Sequence, residues 1–213
     1  MIRFFNAFVK LTGWPAQLVC FRTKVYYEDK RVQGRRIKGP AIIVSNHTSV
    51  YDYAVMLFVF FTRTLRYQMA ELLFEKKPLG GFLKALGGIR IDRGGTDMRF
   101  MSESAMVLQQ GGVVGIFPEG RLPRKDETPP IGFRPGAAHL SLESGVKVIP
   151  VYTNGSYFSR KRARVVIGVP MDPKDHYDPD RTQRENDEAF AAAMREKVLE
   201  LRSLLDGKQE SRA

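Results

Sequence analysis

Asn46-His47-Thr48-Ser49-Val50-Tyr51-Asp52 sets a histidine and a carboxylate five positions apart. Neutral imidazole is a base near pH 7, and a carboxylate bonded to one ring nitrogen fixes its tautomer and raises its basicity. On one continuous helix, residues five apart point about 140° away from each other, so the pair meets only if the chain turns between them. The apolar run Ala41-Ile42-Ile43-Val44 predicts a strand ahead of the histidine, and the apolar segment 53–61 predicts a helix behind the aspartate. With His47 at the strand's end and Asp52 in the helix's first turn, the available chemistry is general-base removal of a hydroxyl proton. A second reading uses the same residues. Ser49-x-x-Asp52 before an apolar run fits a helix capping box, which leaves His47 an ordinary turn residue.

Three further stretches fall where a predicted strand ends. Gly87-Gly88-Ile89-Arg90-Ile91-Asp92-Arg93-Gly94 brings Arg93 into a Gly-flanked turn, where its fork of donors can grip a phosphate. Phe117-Pro118-Glu119-Gly120-Arg121 leaves a second strand, with Gly120 permitting close backbone approach and Glu119 able to accept from a polyol hydroxyl or orient an arginine. In Val148-Ile149-Pro150-Val151, a proline inside an apolar strand marks an edge or a bulge.

The elements that must position these residues alternate along the chain. Strands are predicted at 66–70, 88–92, 113–117, 147–152 and 164–169, and helices at 78–87, 96–110, 136–144 and 188–205. Residues 24–38 alternate as a hairpin would, turning near Glu28-Asp29. This order implies an α/β fold, one domain over 23–206 with a central mixed sheet flanked by helices, and a frayed tail over 207–213. Residues 1–22 form an N-terminal amphipathic helical segment broken at Gly13-Trp14-Pro15. Its Phe4, Phe5, Phe8, Val9 and Leu11 fall near one face with Arg3 and Lys10 among them, which suits either the membrane interface or packing on the domain's own core. The loop 118–135, rich in Pro, Gly and charge, is long for a connection without a function.

The 213 residues carry 34 Lys+Arg against 23 Asp+Glu, a net +11, which calls for an anionic partner such as phospholipid, nucleic acid, a phosphorylated substrate or an acidic protein. The basic residues are spread throughout, with no recognition helix or stacking platform, so nucleic acid is the weaker of these. One cysteine, Cys20, excludes an internal disulfide and any multi-cysteine metal site. The longest apolar stretch, 53–61, is about half of a membrane span, and the opening has no small-residue cleavage site, so neither a spanning helix nor a secretory leader is expected.

Taken in order, these blocks resemble the 1-acylglycerol-3-phosphate acyltransferase (PlsC-like) family of glycerolipid acyltransferases. Asn46, His47, Ser49 and Asp52 match the shorter form of its first block, Asn-His-x-Ser-x-x-Asp. Residues 87–93 match Gly-x-Ile-Phe-Ile-Asp-Arg, with Arg90 in place of Phe. Phe117, Pro118, Glu119 and Gly120 match the start of Phe-Pro-Glu-Gly-Thr-Arg-Ser, after which Arg121, Leu122 and Pro123 depart from it. Residues 148–151 match the apolar run around Ile-Pro-Val, and Gly132-Phe-Arg-Pro-Gly-Ala137 precedes it.

The resemblance implies acyl transfer from an acyl-coenzyme A or acyl carrier protein thioester to the free hydroxyl of lysophosphatidic acid. Glycerol 3-phosphate or another lipid hydroxyl is the alternative acceptor, and an inactive lipid-binding module is the alternative class. His47 would be the base and Asp52 its partner, with Arg93, Glu119, Gly120 and Arg121 on the acceptor and a backbone N–H near the turn on the oxyanion. Asn46, Ser49, Gly88, Phe117, Pro118 and Pro150 would support the motifs. The thiolate is a good leaving group, so no cofactor, metal or acyl-enzyme is implied. Peripheral attachment to an anionic membrane, at its cytoplasmic face, is the expected setting.

Overall fold

All five residues of Ala41–Ser45 are buried, a pattern that only a strand covered on both faces produces. The computed structural model describes residues 1–92, 98–158 and 162–210. It contains seven strands, β1 (Lys24–Tyr27), β2 (Ala41–Ser45), β3 (Leu65–Ala70), β4 (Ile89–Ile91), β5 (Val113–Ile116), β6 (Val148–Thr153) and β7 (Arg164–Ile167). They form one mixed sheet in the order β1-β7-β6-β2-β5-β3-β4. Every neighbouring pair is parallel except β6 with β7.

Successive side chains of a strand point to opposite faces, and the two faces build separate cores. Ile43, Val113, Ile149 and Val165 pack with α2 (Asp52–Val59) and α4 (Leu79–Leu86) on one side. Ile42, Val44, Val114 and Val148 pack with α5 (Arg99–Gln109), α6 (Gly136–Ser144) and α7 (Gln183–Glu210) on the other. The sheet flanked by helices is the expected α/β architecture. α1 (Ile2–Ala16) lies against α4 and α2, and α3 (Glu71–Glu75) joins β3 to α4.

Several local expectations change. Residues 24–38 form no hairpin: β1 runs parallel to β7, with Lys24 opposite Arg164, and the chain leaves the sheet after Tyr27. Alternation alone cannot separate a hairpin arm from an edge strand whose partner is distant. The helix does not break at Gly13-Trp14-Pro15. α1 continues through Pro15 into the π-helical turn Gln17–Phe21, which ends at Arg22 with φ 48°. α7 starts at Gln183, where Thr182 and Glu185 exchange bonds: the Thr182 N–H donates to Glu185 Oε2 (2.8 Å) and the Glu185 N–H to Thr182 Oγ1 (3.3 Å), a capping box.

Pro150 sits in an interior strand, so it marks no edge, and the bulge found nearby lies in the segment opposite it. Val151 faces Ile167 while Val148 faces Met171, so four steps on one side oppose three on the other. Within the longer side, Val169 donates its N–H to Glu28 Oε2 at 2.8 Å.

Candidate active site

In an open α/β sheet, sites form beyond the carboxyl ends of parallel strands. His47 follows β2, and Glu119 follows the adjacent β5. Asp52 opens α2, and the turn between folds it back so that its Oδ2 lies 2.8 Å from His47 Nδ1. Asp52 is fully buried, while the His47 side chain keeps 17% exposure. The carboxylate also accepts the N–H groups of Thr48 (2.7 Å) and Ser49 (2.9 Å) on Oδ2, and the hydroxyls of Thr48 (3.0 Å) and Tyr157 (2.5 Å) on Oδ1. The N–H from Ser49 is the return bond of a capping box. The forward bond is missing, because Ser49 Oγ accepts from the Tyr51 N–H and not from Asp52, so only half of the box forms; the buried carboxylate ties down the turn ahead of α2 and holds the histidine.

With Nδ1 directed to Asp52, Nε2 is the ring nitrogen left to meet a hydroxyl. The imidazole is fixed from one face by Phe117, stacked at 4.2 Å between centroids and 11° between planes, and Tyr67 packs behind Phe117 at 5.0 Å. Tyr67 itself needs Gly115, its partner across the β3–β5 pair, because a Cβ there would lie 2.2 Å from its ring. Tyr157 supports Asp52 from a distant loop, where its hydroxyl also pairs with Thr153 Oγ1 (3.0 Å). Burial, reinforced by the Asp52 charge, pushes the Tyr157 pKa far up, so it remains a hydrogen-bond donor. Asn46 ties β2 to the end of β6, donating to Thr153 O (2.9 Å) and accepting the Thr153 N–H (2.8 Å).

Glu119 is buried and straddles the site. Its Oε1 accepts the His47 N–H at 2.8 Å and its Oε2 the Ile131 N–H at 3.1 Å. Burial pushes its carboxyl above the usual range, against the pull of those two N–H bonds. Each oxygen keeps a lone pair for a ligand hydroxyl. The N–H groups of residues 47, 48 and 49 thus all serve Glu119 and Asp52, so the oxyanion donor expected from the turn is none of these three.

The loop 118–135 is strapped down from α7. Arg195 donates to Ile131 O and Pro130 O (both 3.1 Å), and Arg202 to Pro129 O (3.1 Å). Gly120 has φ 71°, a left-handed conformation suited to glycine, and its missing Cβ leaves room for Arg134, whose Nε would sit 2.9 Å from one. Arg121 is held by Glu127 through two contacts of 2.6 Å, and those bonds pull the Glu127 pKa down to about 2. The cation next to Gly120 is therefore Arg134, which the sequence reading did not single out. Its only signal was its place in Gly132-Phe-Arg-Pro-Gly.

The other expected residues have structural neighbours. Ser49 O and Oγ accept the N–H groups of Asp52 (3.1 Å) and Tyr51 (3.3 Å), Pro118 O accepts from the Arg134 N–H (2.9 Å), and Gly88 links α4 to β4 at the sheet's edge. Arg93 lies outside the described residues.

The Acyltransferase family model matches residues 22–154. The chain belongs to the acyltransferase family. Among its relatives, the 1-acyl-sn-glycerol-3-phosphate acyltransferase of Bacillus subtilis (strain 168) is 24% identical over 170 residues, covering 78% of this acyltransferase and 82% of the Bacillus protein. The human 1-acyl-sn-glycerol-3-phosphate acyltransferase beta is 33% identical over 169 residues, covering 76% of this chain. The match spans only 59% of that human protein's own length. The crystal structure of the 1-acyl-sn-glycerophosphate (LPA) acyltransferase PlsC from Thermotoga maritima superposes with a TM-score of 0.59 at 20% identity, over 92% of this chain and 78% of that one. At that identity the likeness establishes the shared fold.

Proposed function

We propose that this acyltransferase moves a fatty acyl group from an acyl-coenzyme A or acyl carrier protein thioester to the free hydroxyl of lysophosphatidic acid, giving phosphatidic acid. The observation that carries the reading is the His47–Asp52 pair, with one ring nitrogen engaged and the other available at the strand ends. His47 Nε2 takes the hydroxyl proton as the oxygen bonds to the thioester carbonyl carbon. Asp52 holds the imidazolium that forms. Collapse of the tetrahedral adduct breaks the C–S bond, and the proton leaves on the thiolate. The acceptor's phosphate meets Arg134 above Gly120, while Glu119 receives a glycerol hydroxyl. The names of the relatives support lysophosphatidic acid over glycerol 3-phosphate as acceptor.

The test is thiol release from a long-chain acyl-coenzyme A by the purified protein in lipid micelles, with and without lysophosphatidic acid. Release that requires the acceptor is expected. If release is absent with both donors and with both lysophosphatidic acid and glycerol 3-phosphate, the reading fails and a lipid-binding module takes its place. Arg134→Gln separates binding from chemistry. Losing a charge-assisted bond worth about 1.5–3 kcal/mol raises the KM for lysophosphatidic acid about tenfold or more, with kcat little changed. A rise confined to the KM of the donor would reassign Arg134 to the thioester's carrier.

We also propose that the protein docks on an anionic membrane through α1. Among the described residues, no helix is long and apolar enough to cross a bilayer. The buried face of α1 is partly polar: Asn6 donates to Leu86 O (2.7 Å), and Lys10 to Phe61 O (3.1 Å) and Arg63 O (2.5 Å). Burial lowers the Lys10 pKa to about 8. Phe4, Phe8, Leu11, Leu18 and Val19 are left facing out, an inverted distribution that a bilayer would cover. Replacing Phe4, Phe8 and Leu11 together by Ser lowers partitioning onto anionic vesicles at least about tenfold, given roughly 1.5–3 kcal/mol for each large apolar side chain fully buried. Undiminished cosedimentation would end this reading.

A further inference from the structure

A groove of about 640 Å³ opens at the end of the sheet opposite His47, where Gly39 leads into β2, Thr64 into β3 and Gly112 into β5. Arg3, Arg63 and Arg66 line it together with Thr62 and Thr64, and no carboxylate is among its described lining residues. Two of the guanidiniums are held in place by the protein. Arg63 donates through Nη1 to Ile37 O (3.0 Å) and through Nη2 to Gly111 O (2.6 Å). Arg66 donates to Gly87 O and pairs with the exposed Glu103 at 2.6 Å. A guanidinium has five N–H groups, so each of these two retains three. Burial and the charge of Arg3 push the Arg63 pKa down. Three like charges, one of them already paired with Glu103, are stabilised by an anion in their midst, and a rigid fork of donors matches phosphate oxygens.

We propose that this groove is a second phosphate-binding site, and that its natural occupant is the headgroup of an anionic phospholipid in the membrane on which α1 rests. Arg3 precedes Phe4 on the exposed side of α1, which sets the groove beside the apolar face that meets lipid. The site is not the acceptor's own phosphate subsite. β2 alone puts about 16 Å between the two ends of the sheet, more than the few bonds separating phosphate from hydroxyl in one glycerol unit. The headgroup assignment rests on the membrane reading of α1, whereas the phosphate assignment stands without it or any acyl transfer.

The experiment uses the full chain and the exposed Arg3, whose loss leaves Arg63 and Arg66 in their bonds. In an Arg134→Gln background, which weakens phosphate binding beside Gly120, millimolar inorganic phosphate raises the thermal midpoint relative to chloride at equal ionic strength. Adding Arg3→Gln removes at least half of that rise. In the second arm, Arg3→Gln alone lowers partitioning onto phosphatidylcholine vesicles containing phosphatidic acid about fivefold, as expected for one basic residue at a lipid headgroup. It lowers partitioning less on phosphatidylglycerol vesicles of matched surface charge, and kcat on micellar lysophosphatidic acid stays unchanged. A phosphate-dependent rise with unaltered partitioning would assign the site to soluble phosphate and overturn the headgroup. Equal losses on both vesicle types, with no Arg3-dependent response to phosphate, would reduce Arg3 to diffuse surface charge and overturn the site.

Discussion

His47→Ala is expected to lower kcat by about 10²–10⁴, the range for losing a positioned general base. The folded state is expected to survive. Asp52 keeps both backbone N–H bonds and both hydroxyls when the imidazole is gone, so the carboxylate is not stranded. What the variant loses is the stacking on Phe117 and one hydrogen bond, on the order of 1–3 kcal/mol. Turnover at saturating donor and acceptor, measured beside the thermal midpoint, checks both halves. A variant that folds and turns over within tenfold of the parent would remove His47 from the chemistry.

The turn carrying His47 and Asp52 was legible because its geometry is local: strand, reversal and helix start all lie within a dozen residues. The alternation of apolar runs sufficed for the α/β sheet for a similar reason, since each buried strand declares itself by its own composition. What could not be read was pairing across long separations. β1 finds its neighbour in β7, and Asp52 finds Tyr157, each more than 100 residues away. Neither partner leaves a local trace. Arg121 and Arg134 show the same limit within one loop. Both are cations near the Phe-Pro-Glu-Gly stretch, and only three-dimensional proximity assigns Arg121 to Glu127 and Arg134 to Gly120. The capping box at Thr182-x-x-Glu185 was readable but overlooked, because the polar first turn of α7 hides the apolar period that begins after it.

A buried carboxylate at the start of a helix, bonded to the histidine and to the turn before it, poses a question that one substitution answers. Asp52→Asn keeps the size of the side chain and removes its charge. One amide atom must then donate. The N–H groups of Thr48 and Ser49 cannot become acceptors, whereas the hydroxyls of Thr48 and Tyr157 can rotate to accept. The amide oxygen therefore takes the Oδ2 place, facing the backbone and His47 Nδ1, and the NH₂ takes the Oδ1 place, facing the hydroxyls. The turn ahead of α2 stays bonded and the imidazole stays oriented, at a stability cost of about 1–3 kcal/mol. Only the charge that holds an imidazolium is missing, and kcat is expected to fall about 100-fold or more with little change in either KM. Asp52→Ala strands the Thr48 and Ser49 N–H groups, while the Tyr157 hydroxyl keeps Thr153 Oγ1, so it is expected to destabilise by about 2–5 kcal/mol. Comparing the two variants by kcat and thermal midpoint separates the roles. If Asp52→Asn turns over normally, the carboxylate only braces the turn and His47 acts without its charge. If it folds and fails to turn over, the negative charge acts in the chemistry, and the N–H bonds from the turn are the means by which the fold holds that charge against the ring.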